Sequence, residues 1–141
     1  MTEKILGYET KVPTGEYRNR VLLLADDDIQ VGSLFPPCDL LGWRHVEQTE
    51  ILARALPPHM DRQYVYLHTY PSATLGTRPA ARSDLKAKLN SGVAMFNFVG
   101  HGSPFKISDE SVFIDSDAGT LTNGLRMPLV TAASCDIGKF N

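Results

Sequence analysis

Surplus charge is nearly absent from this chain: 14 basic and 16 acidic residues are interspersed and sum to −2. A nucleic-acid or anionic-membrane binder needs a basic face, so the balance argues against both classes. Long apolar runs are missing as well, and none approaches the roughly 20 residues that span a bilayer. The opening residues Met1-Thr-Glu-Lys-Ile-Leu-Gly7 lack the apolar stretch of a secretory leader, so no export signal is visible. Cysteine is scarce, with only Cys38 and Cys135, which does not fix a redox compartment. His45, His59 and His68 stand at no metal-ligand spacing with either cysteine, which argues against zinc. Repeats, low-complexity tracts and linkers are also lacking, so the 141 residues, 43% hydrophobic, suit one globular domain with a core of its own.

What is present is a succession of short apolar runs separated by helical patterns. Residues 3–10 suit a short lead-in helix, ended by Pro13 and Gly15. Arg20 to Ala25 is apolar without alternation, the mark of a parallel strand buried on both faces. Residues 29–42 read as loop. Residues 44–56 read as a helix, with Ile51 and Ala55, and Leu52 and Leu56, at i,i+4. Gln63 to Tyr70 is aromatic and β-branched and reads as a second strand, where Tyr64 and Tyr66, like Trp43, are expected to pack. Residues 78–90 form a second helix with Pro79 in its first turn, an Ala81-Leu85-Leu89 stripe and Ser91-Gly92 as a stop. Val93 to Val99 and Leu129 to Ala133 make strands three and four, both expected to be buried, with a helical turn within 115–123. This order predicts an α/β layered sheet, mainly parallel, with helices on both faces.

Ligand sites in such sheets lie beyond the carboxyl ends of the strands. Strand one is followed by Asp26-Asp27-Asp28, strand three by Gly100-His101-Gly102 and strand four by Ser134-Cys135. A lone cysteine at a strand end is usually a small buried hydrophobe, and a lone histidine usually a turn residue. Together at adjacent strand ends they make a nucleophile and a general acid–base. The backbone N–H groups of Gly102 and Cys135 are candidates for an oxyanion hole. One of the three aspartates could orient His101 or bind a basic substrate group. A solvated, calcium-binding or helix-capping loop is an equal reading of that triplet. Cys38 reads as structural.

Asn97-Phe-Val-Gly-His-Gly-Ser103 followed by Leu129-Val-Thr-Ala-Ala-Ser-Cys-Asp-Ile-Gly-Lys-Phe140 resembles the gingipain-type cysteine peptidases of the caspase-like superfamily. Leu89 to Val93, Gly138, Phe140 and Tyr8-Glu9 extend the likeness over essentially the whole chain. Ser108-Asp-Glu110 and Leu121 to Pro128 are similar to the branch that includes the sortase of the type IX secretion system.

The resemblance implies a caspase-like three-layer α/β/α fold, truncated at its C-terminal side. It divides the chain into a lead-in at 1–18 and a sheet region at 19–141 that carries the site. Cys135 is implied as the nucleophile, His101 as the general acid, and Asp26 or Asp27 as a third, acidic member. No cofactor is implied beyond a structural calcium. The expected partners are a polypeptide substrate and further N- and C-terminal parts of the same protein, at an extracellular or cell-envelope location. No acidic residue here matches the specificity pocket of the arginine- and lysine-specific members.

Two rival readings remain. A caspase-like domain kept only for binding would not need His101 and Cys135. A receiver-type signalling module would share the strand with an acidic pair, Val21 to Asp28, that holds Mg²⁺. That module needs an aspartate where this chain has His101.

Overall fold

The computed structural model describes residues 2–27, 44–73 and 76–137. Asp28, Cys38, Trp43, Gly138 and Phe140, and the loop expected at 29–42, lie outside the described residues. The lead-in helix α1 spans Thr2–Lys11 and a 3₁₀ turn at Glu16–Asn19 delivers the chain to strand β1, Arg20–Ala25. Helix α2 (Arg44–Ala55), strand β2 (Asp61–Tyr66), helix α3 (Pro79–Ser91) and strand β3 (Met95–Val99) follow. Three two-residue strands, β4 (Gly102–Ser103), β5 (Lys106–Ile107) and β6 (Phe113–Ile114), precede the one-turn helix α4 (Asp115–Ala118) and strand β7 (Leu129–Ala133).

The main sheet has the order β2-β1-β3-β7 and all three pairings are parallel. Strand β1 is central, which explains its unbroken apolar run. Leu22 and Leu24 pack on one face with Ala81, Leu85 and Leu89 of α3 and with Phe96 and Phe98 of β3. Val21 and Leu23 pack on the other face with Leu52 and Ala53 of α2 and with Leu56 just after it. Helices on both faces of a mainly parallel sheet are the layered α/β architecture that the sequence predicts.

The Ala81-Leu85-Leu89 stripe is buried as expected. On α2 the buried stripe is instead Val46, Thr49 and Ala53, and Ile51 is 67% exposed. The i,i+4 pair of Ile51 and Ala55 therefore sits on the outer side of that helix. Arg62 of β2 closes α2 by donating from Nε to the Ala53 carbonyl and from Nη2 to the Leu56 carbonyl, both at 2.9 Å. A cation at these unpaired carbonyls satisfies them and complements the helix dipole.

Strand β7 departs from expectation. All five of its residues are exposed, with Leu129 at 61% and Val130 at 54%. It is the edge strand next to β3, and among the described residues no helix covers it as α2 and α3 cover β1. The second departure is the three-stranded antiparallel sheet β4-β5-β6, which is threaded between β3 and β7. Among the described residues no helix is long and apolar enough to cross a membrane.

Candidate active site

Parallel pairing places the ends of β1, β3 and β7 along one edge of the sheet. The register aligns Ala25 with Val99 and Val99 with Ala133. His101 and Cys135 thus stand the same two residues beyond aligned partners, in loops that leave strands such pairing holds about 4.8 Å apart. The ladder continues past the strands, with Asp26 N–H donating to the Val99 carbonyl at 3.0 Å and Gly100 N–H to the Ala133 carbonyl at 3.2 Å. The two loops touch at Gly102. A Cβ there would come within 2.4 Å of Ser134 Oγ and 2.7 Å of Ile137 Cδ1, so any larger residue would push the cysteine loop away.

Cys135 is exposed and carries a free thiol. The next residue, Asp136, has φ of 52°, a left-handed conformation that non-glycine residues seldom adopt. The chain thus bends directly after Cys135. His101 is half-buried, and both of its backbone polar groups are engaged. Its N–H donates to Asp26 Oδ2 at 2.9 Å, and its carbonyl accepts from Ser108 N–H at 3.0 Å. That second bond makes Gly102 and Ile107 a non-hydrogen-bonded pair of the β4-β5 ladder, so the Gly102 N–H lies outside that ladder.

The expected carboxylates take distinct places. Asp26 holds the main chain of His101. Asp27 pairs with Arg78, whose Nη2 donates to its Oδ2, while Nη1 of the same guanidinium donates to the Tyr70 carbonyl. Arg78 precedes α3, and that helix starts at the carboxyl edge because β2 is parallel to β1.

Glu110 is a site residue that sequence reasoning valued only for its likeness to one branch of a family. Oxygens of Asp26, Asp27 and Glu110 lie within 4.8 Å of one another, and all three residues are buried. Asp26 Oδ1 and Glu110 Oε2 have no hydrogen-bond partner. Two such oxygens on neighbouring buried carboxyl groups call for a proton or a cation between them. Burial, then the Glu110 and Asp27 charges, push Asp26 up to about 9 against the pull of the His101 N–H. Burial also raises Glu110. Burial thus favours a proton on the Asp26–Glu110 pair, and the trio is also the group that could hold a hard cation.

Two further features border the site. The ring of His45, in the first turn of α2, lies 5.2 Å from the His101 ring centroid, with the planes at 89°. Its sequence signal was nil, since 56 residues separate the two histidines and neither lies in a shared motif. Beside the loops, Ser103 to Ile107, Phe113 to Asp115, Ala118 and Ile137 line a mostly apolar pocket of about 420 Å³.

Solved structures share this fold. The crystal structure of the Arg-specific cysteine proteinase gingipain R (RgpB) superposes with a TM-score of 0.69 at 19% identity, over 96% of this chain and 28% of the other. The complex of Porphyromonas gingivalis RgpB pro- and mature domains gives 0.66 at 20% identity, over 94% and 28%. The chain thus spans somewhat more than a quarter of either gingipain chain. No curated protein sequence matches it. The model of peptidase family C25 matches residues 1–141, so the chain belongs to peptidase family C25.

Proposed function

We propose that this chain carries the catalytic cysteine and histidine of a cysteine endopeptidase. The observation that supports it most is the register, which sets His101 and Cys135 at equal positions beyond paired strands of a family C25 chain. In this reading the Cys135 thiolate attacks the carbonyl carbon of a peptide bond, and the carbonyl π electrons move to oxygen. The Gly102 and Cys135 N–H groups stabilise that oxyanion, a contribution of about 3–4 kcal/mol per donor in enzymes where one was removed. The His101 imidazolium protonates the leaving nitrogen as the C–N bond breaks, leaving a thioester on Cys135. Neutral His101 then takes a proton from water, whose oxygen attacks the thioester and releases the acid and the thiolate.

Asp26 serves this mechanism through the main chain of His101, whereas Asp27 pairs with Arg78. The apolar pocket beside Ile137 suits an uncharged side chain of the polypeptide, in keeping with the lack of a matched acidic specificity residue. The 108–110 and 121–128 segments support processing of exported or surface proteins, with the site at the cell envelope.

The test is hydrolysis of a fluorogenic peptide library by the full encoded protein. Cys135→Ala and His101→Ala are each expected to lower kcat/KM by 10³-fold or more, on the order of what loss of a nucleophile or its base costs. Activity within tenfold of wild type in either variant would contradict the reading.

A further inference from the structure

The backbone of His101 is pinned by Asp26 and Ser108, but its catalytic atoms are in the ring. A pinned backbone still leaves rotation about the two side-chain bonds, and a general acid works only when its nitrogen reaches the leaving group. The described contact that bears on the ring itself is with His45, edge to face at 5.2 Å. Aromatic pairs favour this arrangement at 4.5–7 Å between centroids.

His45 is well placed to act as a fixed wall. It sits in the first turn of α2, where Val46 and Thr49 are buried and Thr49 Oγ1 donates to the His45 carbonyl at 2.8 Å. The fold brings it there for a general reason. The helix that follows a parallel strand begins at the carboxyl edge of the sheet, so α2 presents its first turn to the same edge as His101.

We infer that His45 is a positioning residue, whose ring fixes the rotamer of the His101 imidazole that serves Cys135. This rests on the proposed roles of His101 and Cys135. A ring free to swing off line lowers the rate of proton transfer without changing how substrate binds, because misplacement by about 1 Å costs on the order of 10²-fold.

The experiment measures peptide hydrolysis by the full encoded protein with His45→Ala and His45→Phe, alongside Cys135→Ala and His101→Ala. His45→Ala is expected to lose tenfold or more in kcat with KM within about twofold, the pattern of an interaction used in the transition state. His45→Phe keeps an aromatic edge and is expected to recover most of the loss. If His45→Ala does not fold, His45→Gln is the ringless variant measured instead. A ringless variant with wild-type kcat, or a Phe variant as impaired as the ringless one, would overturn the role of His45. Activity surviving in Cys135→Ala or His101→Ala would instead overturn the reading beneath it. The contact has its own readout that needs no turnover: labelled histidines should show a nuclear Overhauser effect between the two rings, and its absence would overturn the proposal.

Discussion

At the scale of single residues, Asp26 has the most demanding position. It is 1% exposed, touches the main chain of His101 and faces a second buried carboxyl group. Its folded-state value of about 9 lies above the ordinary 3.8. Between these limits the folded chain keeps a proton that the unfolded chain has released. The contribution of this group is therefore fully present below about pH 4 and is lost as pH rises toward 9. Asn keeps an acceptor for the His101 N–H, offers a donor to Glu110 and does not titrate. Urea unfolding at pH 5 and pH 8 should show wild type losing more stability than Asp26→Asn over that interval; equal losses would show that Asp26 does not hold the proton. Gly100 reports on the same contact sterically. A Cβ there would lie 2.2 Å from Asp26 Cβ and 2.9 Å from its Oδ2, so Gly100→Ala should cost about 1–3 kcal/mol or more by overpacking. Thermal unfolding measures that cost, and an unchanged Tm would contradict the packing described.

These residue-level facts were unevenly legible beforehand. Asp26, His101 and Cys135 stood out because each ends an apolar run, and that is a one-dimensional signal. His45 and Glu110 end no such run. Their relation to His101 arises from a helix start and a turn brought to one sheet edge, which spacing along the chain does not encode.

At the scale of elements, the main strands and helices were readable and the small sheet was not. The β1 run and the α3 stripe declare their burial through periodicity. Strands β4, β5 and β6 have two residues each, too short for any period, and their turns pass through Ser108 and Ser111 at φ of 61° and 56°. Strand β7 misled in the opposite direction, since Leu129-Val-Thr-Ala-Ala133 reads as a buried strand while its surface is open. Composition shows that a segment can be buried, not that something covers it.

The small sheet is tied to α3 by Asp117 of α4. Its carboxylate meets Arg82 and Lys86, each at 2.9 Å, and accepts the Ile114 N–H at 3.0 Å. Burial alone would raise this acid, but Lys86, the Ile114 N–H and Arg82 together hold it down to about 2. A lowered carboxyl group stabilises the fold above its ordinary 3.8, and that contribution is lost as pH falls toward 2. Asp117→Asn should cost roughly 2 kcal/mol at pH 7, and the difference from wild type should narrow as pH falls from 4 toward 2. Denaturant unfolding across that range checks it, and a penalty independent of pH would assign the loss to packing.

At the scale of the whole molecule, parallel topology collects the chemistry. Every main strand runs the same way, so residues that follow β1, β3 and β7 meet at one edge although 108 positions separate Asp27 from Cys135. The same topology sends the first turns of α2 and α3 there, with His45 on one and Arg78 just before the other. The layered fold and the meeting of the residues after β3 and β7 at one edge could be anticipated, because strand order and strand ends suffice for both. The positioning around the histidine needed three dimensions.

The central claim is that Cys135 is a nucleophile served by His101. It is tested most directly by treating the full encoded protein with a peptidyl acyloxymethyl ketone and locating the adduct by peptide mass spectrometry. The expected result is a thioether on Cys135, absent in Cys135→Ala and formed far more slowly in His101→Ala. Equal labelling of wild type and Cys135→Ala would contradict it.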